Sequence, residues 1–421
     1  MKRIVVIGGG AAGLKAAYSA YTALSDKPYS ITVVEKNSRP ARKVMITGKG
    51  RCNVTNNCDV NTLIVNTPKN GKFLYSAFNN YNSYDTMSYF ENMGVRLKTE
   101  RGNRVFPVSD RAEDIVDALV LPVKKHCSIV TGAAESVIVS GGAVTGVKLV
   151  GGKILDADCV ILATGGKSYP LTGSTGDGYK IAADLGHTVT PLTPSLTGLE
   201  CHEGFCTRLA GLSLKNVTLS VFEAGKKKPV YKEMGEMLFT HTGISGPLTL
   251  SASAHIRYIG KKDYFAEVDL KPALSDEQLD KRILRDFEES LNRDFANSLD
   301  KLLPKSIIPV IINMSGISPH TKVNQISRED RQSLINAIKR FRLNITNFRP
   351  IEEAIITSGG ISVKEIDPAT MMSKLVGGLF FAGEIIDVDA YTGGFNLQIA
   401  FSTGVLAGES AAKYKKEQKI I

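Results

Sequence analysis

The stretch that decides the architecture is Val5-Val6-Ile7-Gly8-Gly9-Gly10-Ala11-Ala12-Gly13. Residues 3–8 read as a buried strand. Residues 11–24 read as a helix, and Ala12, Gly13, Ala16, Ala17 and Ala20 let it lie close against a sheet. Ile31-Thr32-Val33-Val34-Glu35 reads as a second strand, completing a βαβ unit. Gly8 permits a tight turn, Gly10 a close approach of backbone to ligand, and Gly13 tight helix–strand packing. The first helical turn, with Ala11 and Ala12, presents free N–H groups and the positive end of a dipole, which suits a pyrophosphate. Glu35 ends the second strand 22 residues after Gly13, with Lys36 beside it, where a carboxylate can bind ribose hydroxyls.

Outward from this motif, the chain has 421 residues, enough for two or three domains. It is 43% hydrophobic and 22% charged, as in globular proteins. No apolar run reaches the roughly 18–20 residues of a membrane span. Lys2-Arg3 leads straight into the strand with no cleavable signal, so a cytoplasmic location and no membrane partner are expected. The net charge is +10, with runs at Lys226-Lys227-Lys228 and from Lys413 to Lys419. Anionic dinucleotides account for such a charge, and no RNA-binding aromatic motif is present, so nucleic acid is not expected as a partner. Six cysteines without a Cys-x-x-Cys pair imply free thiols and no metal site.

A glycine-rich segment follows the βαβ unit. Residues 84–93 and 112–125 look helical, and residues 128–158 suggest a small antiparallel meander. The strand Cys159–Thr164 runs into Gly165-Gly166, and a helix is expected over 176–185. From about residue 196 to 270 short alternating strands suggest a β-barrel or sandwich. Residues 275–343 are mainly helical, with Ser275 capping a helix that has Gln278 at its third position. An apolar strand, Leu379-Phe380-Phe381-Ala382-Gly383-Glu384, and a helix over 396–412 then return to the first pattern. The fold class expected is α/β. A Rossmann-like FAD-binding domain (1–194 and the later part of 344–421) is interrupted by a β-barrel insertion (195–274) that carries a small helical domain (275–343). The barrel returns at the start of 344–421.

Three features favour FAD over NAD. Ala163-Thr164-Gly165-Gly166 is a second strand-borne glycine motif. Gly383-Glu384 places a carboxylate where a ribityl chain runs. Gly393-Gly394-Phe395-Asn396-Leu397-Gln398 opens a helix whose amides can face the flavin pyrimidine, where negative charge builds on reduction. In the glycine-rich segment, Gly48 and Gly50 let backbone pass close to a flat ring. Arg51 suits an anionic reduced flavin or substrate, or a structural ion pair. Asn53 suits the flavin edge. His241 is the candidate proton donor, with a purely structural role in its turn as the alternative.

The segment Arg42-Lys43-Val44-Met45-Ile46-Thr47-Gly48-Lys49-Gly50-Arg51-Cys52-Asn53-Val54-Thr55-Asn56 resembles the hallmark of a bacterial flavoprotein family, the BaiN/RdsA-type NAD(P)/FAD-dependent oxidoreductases. Leu238-Phe239-Thr240-His241-Thr242-Gly243-Ile244-Ser245-Gly246-Pro247, Ile356-Thr357-Ser358-Gly359-Gly360-Ile361 and Gly383 through Gln398 are similar to it as well. Thr172-Gly173-Ser174-Thr175-Gly176-Asp177-Gly178-Tyr179 more distantly resembles fumarate reductase and L-aspartate oxidase flavoproteins. The resemblance implies FAD, a split Rossmann-like domain with a barrel and helical insertion, and hydride transfer at flavin N5 to or from a small unsaturated or carbonyl substrate. Residues 42–53, including Arg42, Lys43, Gly50, Arg51, Cys52 and Asn53, and residues 383–398, including Gly383, Glu384, Asp387, Asn396, Leu397 and Gln398, would join Thr164, Gly165 and the N-terminal motif in holding FAD. No second nucleotide fingerprint marks an NAD(P)H domain, which leaves NAD(P)H as a diffusible donor. An oxygen-using oxidase, and a flavin redox sensor or RNA-associated flavoprotein, are the alternative readings. Cys52 and Cys58, with five residues between them, allow either a redox pair or incidental thiols.

Overall fold

A computed structural model describes residues 1–289 and 291–415. The basic residues at 416–419 lie outside this range. The chain divides into two units, Met1–Ser195 with Ile351–Ile421, and Leu196–Pro350.

The first unit is built on a five-stranded parallel sheet. Its strands are β1 (Lys2–Ile7), β2 (Tyr29–Glu35), β3 (Ser128–Thr131), β4 (Cys159–Leu162) and β5 (Leu379–Phe381), in the order β5-β4-β1-β2-β3. Helices cover the sheet, so its central strands read as unbroken apolar runs: Ile4 to Ile7 and Cys159 to Leu162 are all buried. Val6 pairs with Val33 on one side and Ile161 on the other.

The helix after β1, α1 (Ala11–Leu24), lies against the long helix α2 (Phe395–Lys413) near the chain's end. Their small residues explain the approach. A Cβ on Gly404 would sit 2.6 Å from the Ala12 carbonyl oxygen, and one on Gly408 would sit 2.2 Å from that of Ala16. Any larger residue there would push the helices apart.

One expectation is corrected. Residues 128–131 do not belong to the meander; they pair in parallel with β2, from Thr32 against Ser128 to Glu35 against Thr131. Only Ala134–Ser140, Ala143–Leu149 and Ile154–Asp156 form the antiparallel meander. A second small sheet joins Thr55–Asn56, Arg104–Pro107 and Leu97–Glu100.

The second unit is a closed six-stranded antiparallel barrel. Its strands are Leu199–Cys201, Ser213–Glu223, Tyr231–Thr240, Gly243–Ser245, Tyr264–Asp269 and Phe341–Phe348. Inward residues such as Leu219, Phe239, Ala266 and Leu343 are fully buried. Between its last two strands the chain forms the helices Asp276–Glu288, Ile308–Ser315 and Arg328–Lys339. The first begins with the reciprocal cap expected from sequence: Ser275 Oγ accepts from the Gln278 N–H, and Gln278 Oε1 from the Ser275 N–H. Ser327 and Asp330 repeat the device. Among the described residues no helix is long and apolar enough to cross a membrane.

Candidate functional site

The carboxyl ends of the parallel strands open into a cleft with about 1420 Å³ of free space, part of it continuous with solvent. This is where open parallel sheets bind ligands. The first unit alone builds it.

At one end stands the βαβ unit. The first helical hydrogen bond of α1 runs from the Leu14 N–H to the Gly10 carbonyl at 3.0 Å, leaving the N–H groups of Ala11, Ala12 and Gly13 free of intrahelical partners. A Cβ on Gly10 would meet nothing within 4 Å, whereas one on Gly13 would strike the Gly8 carbonyl oxygen at 1.9 Å. Gly10 therefore faces the cleft and Gly13 closes the turn behind it. Glu35 is buried yet fully engaged. Its Oε2 accepts from the Gly9 N–H at 2.8 Å, and its Oε1 accepts from the Asn37 N–H and Nδ2 at 2.8 and 2.7 Å. Three donors fix both oxygens and leave lone pairs for a vicinal diol. Gly132, Ala133 and Ala134, just after β3, form the wall beyond.

At the other end α2 begins. Gly394 caps it at φ +97°, and a Cβ there would lie 2.3 Å from the Thr55 carbonyl oxygen, so only glycine fits. Asn396 and Leu397 line the cleft. The Asn396 side chain is spent on the preceding turn: Oδ1 accepts from the Ala390 N–H, and Nδ2 donates to the Ala390 and Tyr391 carbonyls. What α2 offers a ligand is backbone N–H. Between the two ends, Lys43 Nζ donates to Glu384 Oε2 at 2.8 Å and to Ser168 Oγ at 2.6 Å. Glu384 Oε1 accepts from the Thr357 N–H at 2.8 Å and from Ser168 Oγ at 3.2 Å. Lys36 is paired with Asp177 at 2.5 Å, and Arg42 donates to Asn37 Oδ1 at 3.1 Å.

The cleft wall thus brings together Gly8, Gly10, Ala11, Ala12, Glu35, Lys36, Arg42, Lys43, Thr164, Gly165, Gly383, Glu384, Asn396 and Leu397. Other expected residues stand elsewhere. Arg51 stacks over Phe106, 4.2 Å from the ring centroid, and pairs with Glu100 and Asp110. Its guanidinium holds the Glu100 carboxyl below the usual range, and Lys98 with Arg51 does the same for Asp110. Gly50 lies on the exposed loop before it. Cys52 is buried, and burial pushes its thiol up to about 12; Cys58 is pushed up to about 11 for the same reason. Neither forms a disulfide, and neither is disposed to act as a thiolate. Asn53 Oδ1 is buried with no hydrogen-bond partner. Asp387 pairs with Lys69 at 2.6 Å. Gln398 is fully buried: its Oε1 accepts from Thr55 and Thr86 hydroxyls at 2.6 and 2.8 Å, and its Nε2 donates to Ser402 Oγ at 2.9 Å and the Tyr81 carbonyl at 3.2 Å. It is a tie between segments. His241 belongs to the second unit, exposed in the turn between two barrel strands, where its carbonyl accepts from Thr207 Oγ1.

Sequence reasoning missed Asn37, Ser168 and Thr357, which hold the two carboxylates, and the Gly132–Ala134 wall. The last had a usable signal, a glycine just after a strand. Thr357 lay within the family-like motif Ile356–Ile361, while Asn37 and Ser168 had no signal, since isolated Ser and Asn residues are everywhere.

The chain matches the model of the HI0933-like protein Rossmann domain over residues 2–410. It belongs to that family. The family is one of flavoprotein oxidoreductases with a Rossmann fold. One member, the 3-dehydro-bile acid delta(4,6)-reductase of Clostridium scindens, is 30% identical over 419 residues, 98% of this chain and 100% of the relative. The ribosomal RNA dihydrouridine synthase of Haemophilus influenzae is also 30% identical, over 97% of this chain and 98% of its own length. Among solved structures, the 3-ketosteroid delta1-dehydrogenase of Sterolibacterium denitrificans shares the fold. Its TM-score is 0.52 at 13% identity, covering 99% of this chain and 100% of that one.

Proposed function

We propose that this family member binds FAD in the cleft and reduces a carbon–carbon double bond conjugated to a carbonyl, with NAD(P)H as the diffusible electron donor. One observation carries the reading: the N-termini of α1 and α2 open on a single cleft that ends at the Glu35 carboxylate. Two helix N-termini suit a ligand that is anionic at its middle and gains negative charge at one end. Reduced FAD supplies a hydride at its N5. Glu35 would hold the adenosine ribose, Gly8 to Gly13 the pyrophosphate, and the α2 amides the flavin pyrimidine carbonyl. Lys43 and Glu384, joined through Ser168, would position the ribityl stretch between them. Arg51 is left out of the chemistry because Glu100 and Asp110 already match its charge.

The relatives' names support the bond type. A delta(4,6)-reductase of a 3-dehydro bile acid and a dihydrouridine synthase both saturate a carbon–carbon bond conjugated to a carbonyl. The test is anaerobic. Purified protein should be yellow, release FAD on denaturation, bleach with NADH or NADPH, and recover its colour on adding an enone steroid or a uridine-containing substrate. Colourless protein that binds no added FAD overturns the cofactor. Bleached protein that recovers only in air supports an oxidase instead.

A further inference from the structure

One segment of the cleft wall is held by polar bonds that the proposed chemistry does not use. The chain from Thr172 to Asp177 follows β4, and Lys36 and Asn37 follow β2. These two stretches are bonded to each other. Asn37 Nδ2 donates to the Thr172 carbonyl at 3.2 Å, and Lys36 Nζ donates to Thr175 Oγ1 and to Asp177 Oδ2, the latter at 2.5 Å. Thr175 Oγ1 donates in turn to Asp177 Oδ1 at 2.8 Å. In the sheet, β1 lies between β4 and β2. The bonds therefore cross the carboxyl end of β1, where Gly8 and Gly10 line the cleft. Lys36, Asn37, Thr172, Gly173, Ser174 and Asp177 line that same cleft.

The backbone of this segment suits movement. Gly173 and Gly176 flank Ser174-Thr175 with φ of +107° and +86°, a region open to glycine. The neighbouring apolar side chain, Leu171, is 87% exposed, so apolar packing does little to hold the segment. Ser174 is buried, its Oγ 3.3 Å from where a Cβ on Gly165 would stand. The Lys36–Asp177 pair, by contrast, is open to water, at 28% and 51% exposure. A water-exposed ion pair is a weak tie, worth a few-fold in an equilibrium. Asn37 joins this tie to the ligand site, because its Nδ2 also donates to Glu35 Oε1 at 2.7 Å. We infer that residues 172–177 form a strap over the bound dinucleotide, and that the clasp of Lys36, Thr175 and Asp177 opens for FAD to enter or leave. The clasp sets how fast the cofactor exchanges, not how tightly it is held. The inference rests on the cleft being the FAD site.

The experiment measures both exchange rates in the parent, in Asp177→Asn and in Lys36→Met. Stopped-flow mixing of apoprotein with FAD reads association as a change in flavin fluorescence. Protein loaded with radiolabelled FAD and chased with excess unlabelled FAD reads dissociation. Asp177→Asn removes a negative charge near an anionic ligand and Lys36→Met a positive one, so electrostatic steering would shift their association rates in opposite directions. Loss of the clasp shifts them in the same direction. Both variants should associate and dissociate about two- to fivefold faster than the parent, with the dissociation constant within about twofold of the parent's. Their melting temperatures should stay close to the parent's, which excludes misfolding. Opposite shifts in association reduce the pair to steering and overturn the inference. Faster dissociation at unchanged association, with weaker affinity, makes the two residues ligand contacts and overturns it as well. A parent that binds no added FAD overturns the cofactor reading and this inference together. Parental rates in both variants of a parent that does bind FAD overturn the inference alone.

Discussion

At one end of the cleft Glu35 is gripped by Gly9 and Asn37, neighbours within one βαβ unit. At the other, Gln398 is gripped by Thr55 and Thr86, 343 and 312 residues away in the chain. The first end offers a ligand backbone N–H groups and one carboxylate, set by a short contiguous stretch. The second depends on a buried polar knot that holds two distant segments in register. Local sequence builds the Glu35 end; long-range side-chain bonding builds the Gln398 end, where the proposed chemistry would occur. Damage should differ accordingly. Breaking the knot should cost stability first, and breaking the grip on Glu35 should cost affinity first.

The largest effect is expected at Gln398. Gln398→Leu removes the acceptor of two buried hydroxyls and the donor to Ser402 and the Tyr81 carbonyl. Each buried group left unpaired costs about 1–3 kcal/mol, so a loss of roughly 3–5 kcal/mol is expected. Urea denaturation of the FAD-loaded protein measures it. A loss below about 1 kcal/mol would show that the knot is dispensable and would erase the contrast.

The next test lies at the seam between the two ends. Lys15, on α1, is almost wholly buried, its Nζ 3.1 Å from the Tyr89 ring centroid and 4.6 Å from that of Tyr81. Burial pulls its ammonium down to about 7, against the weaker upward pull of Asp85 and Glu409. In the unfolded chain it titrates near about 10.4. Above that pH both states are neutral and there is no penalty. As pH falls from there to about 7, the unfolded chain gains a proton that the folded protein resists, so stability falls; below 7 the full penalty is present. Lys15→Met should therefore stabilise the protein by about 2–3 kcal/mol at neutral pH, after allowance for the lost ring contacts, and flatten the rise in stability toward alkaline pH. A parent whose stability does not change between neutral and alkaline pH would break this account of Lys15.

Glu35 is expected to act on binding. Glu35→Gln turns one acceptor oxygen into a donor facing the Gly9 or Asn37 N–H groups and removes the charge from the proposed ribose site. FAD affinity should fall about 10- to 100-fold, as for loss of a charge-assisted hydrogen bond, and the buried donor facing donors should cost the apoprotein about 1–3 kcal/mol, less than the loss at Gln398. Fluorescence titration of apoprotein with FAD reads this directly, and equal affinities would place the adenosine elsewhere.

The same contrast governs what the sequence disclosed. The β1–α1–β2 unit was legible because its signals are local: an apolar run, glycines at fixed offsets, an acid at the next strand's end. The Ser275 cap was legible for the same reason. The edge strand Ser128–Thr131 was not, since four half-exposed residues carry no period and only the neighbouring β2 determines where they pair. Gln398 was placed at the ligand, and Arg51 left open between ligand and structural ion pair, for a related reason. A polar residue in a glycine-rich motif looks the same whether it faces a ligand or a buried partner. The partners that decide the matter lie 343 residues away for Gln398, and 49 and 59 for Arg51.

The smallest effect is expected where a motif-based reading would look for the largest. Cys52 and Cys58 flank the polar segment after the glycine-rich loop, and a redox pair there would make either thiol essential. The structure opposes this: both are buried, and both thiols are pushed well above neutral pH by burial. At neutral pH almost no thiolate exists to attack a disulfide or a flavin. Cys58→Ala should therefore leave the rate of flavin reduction by NAD(P)H within about twofold of the parent, with an unchanged flavin spectrum. A loss of two orders of magnitude in that rate, with folding intact, would restore the cysteine pair to the mechanism and shift the chemistry from the helix N-termini to the loop that begins at Thr47.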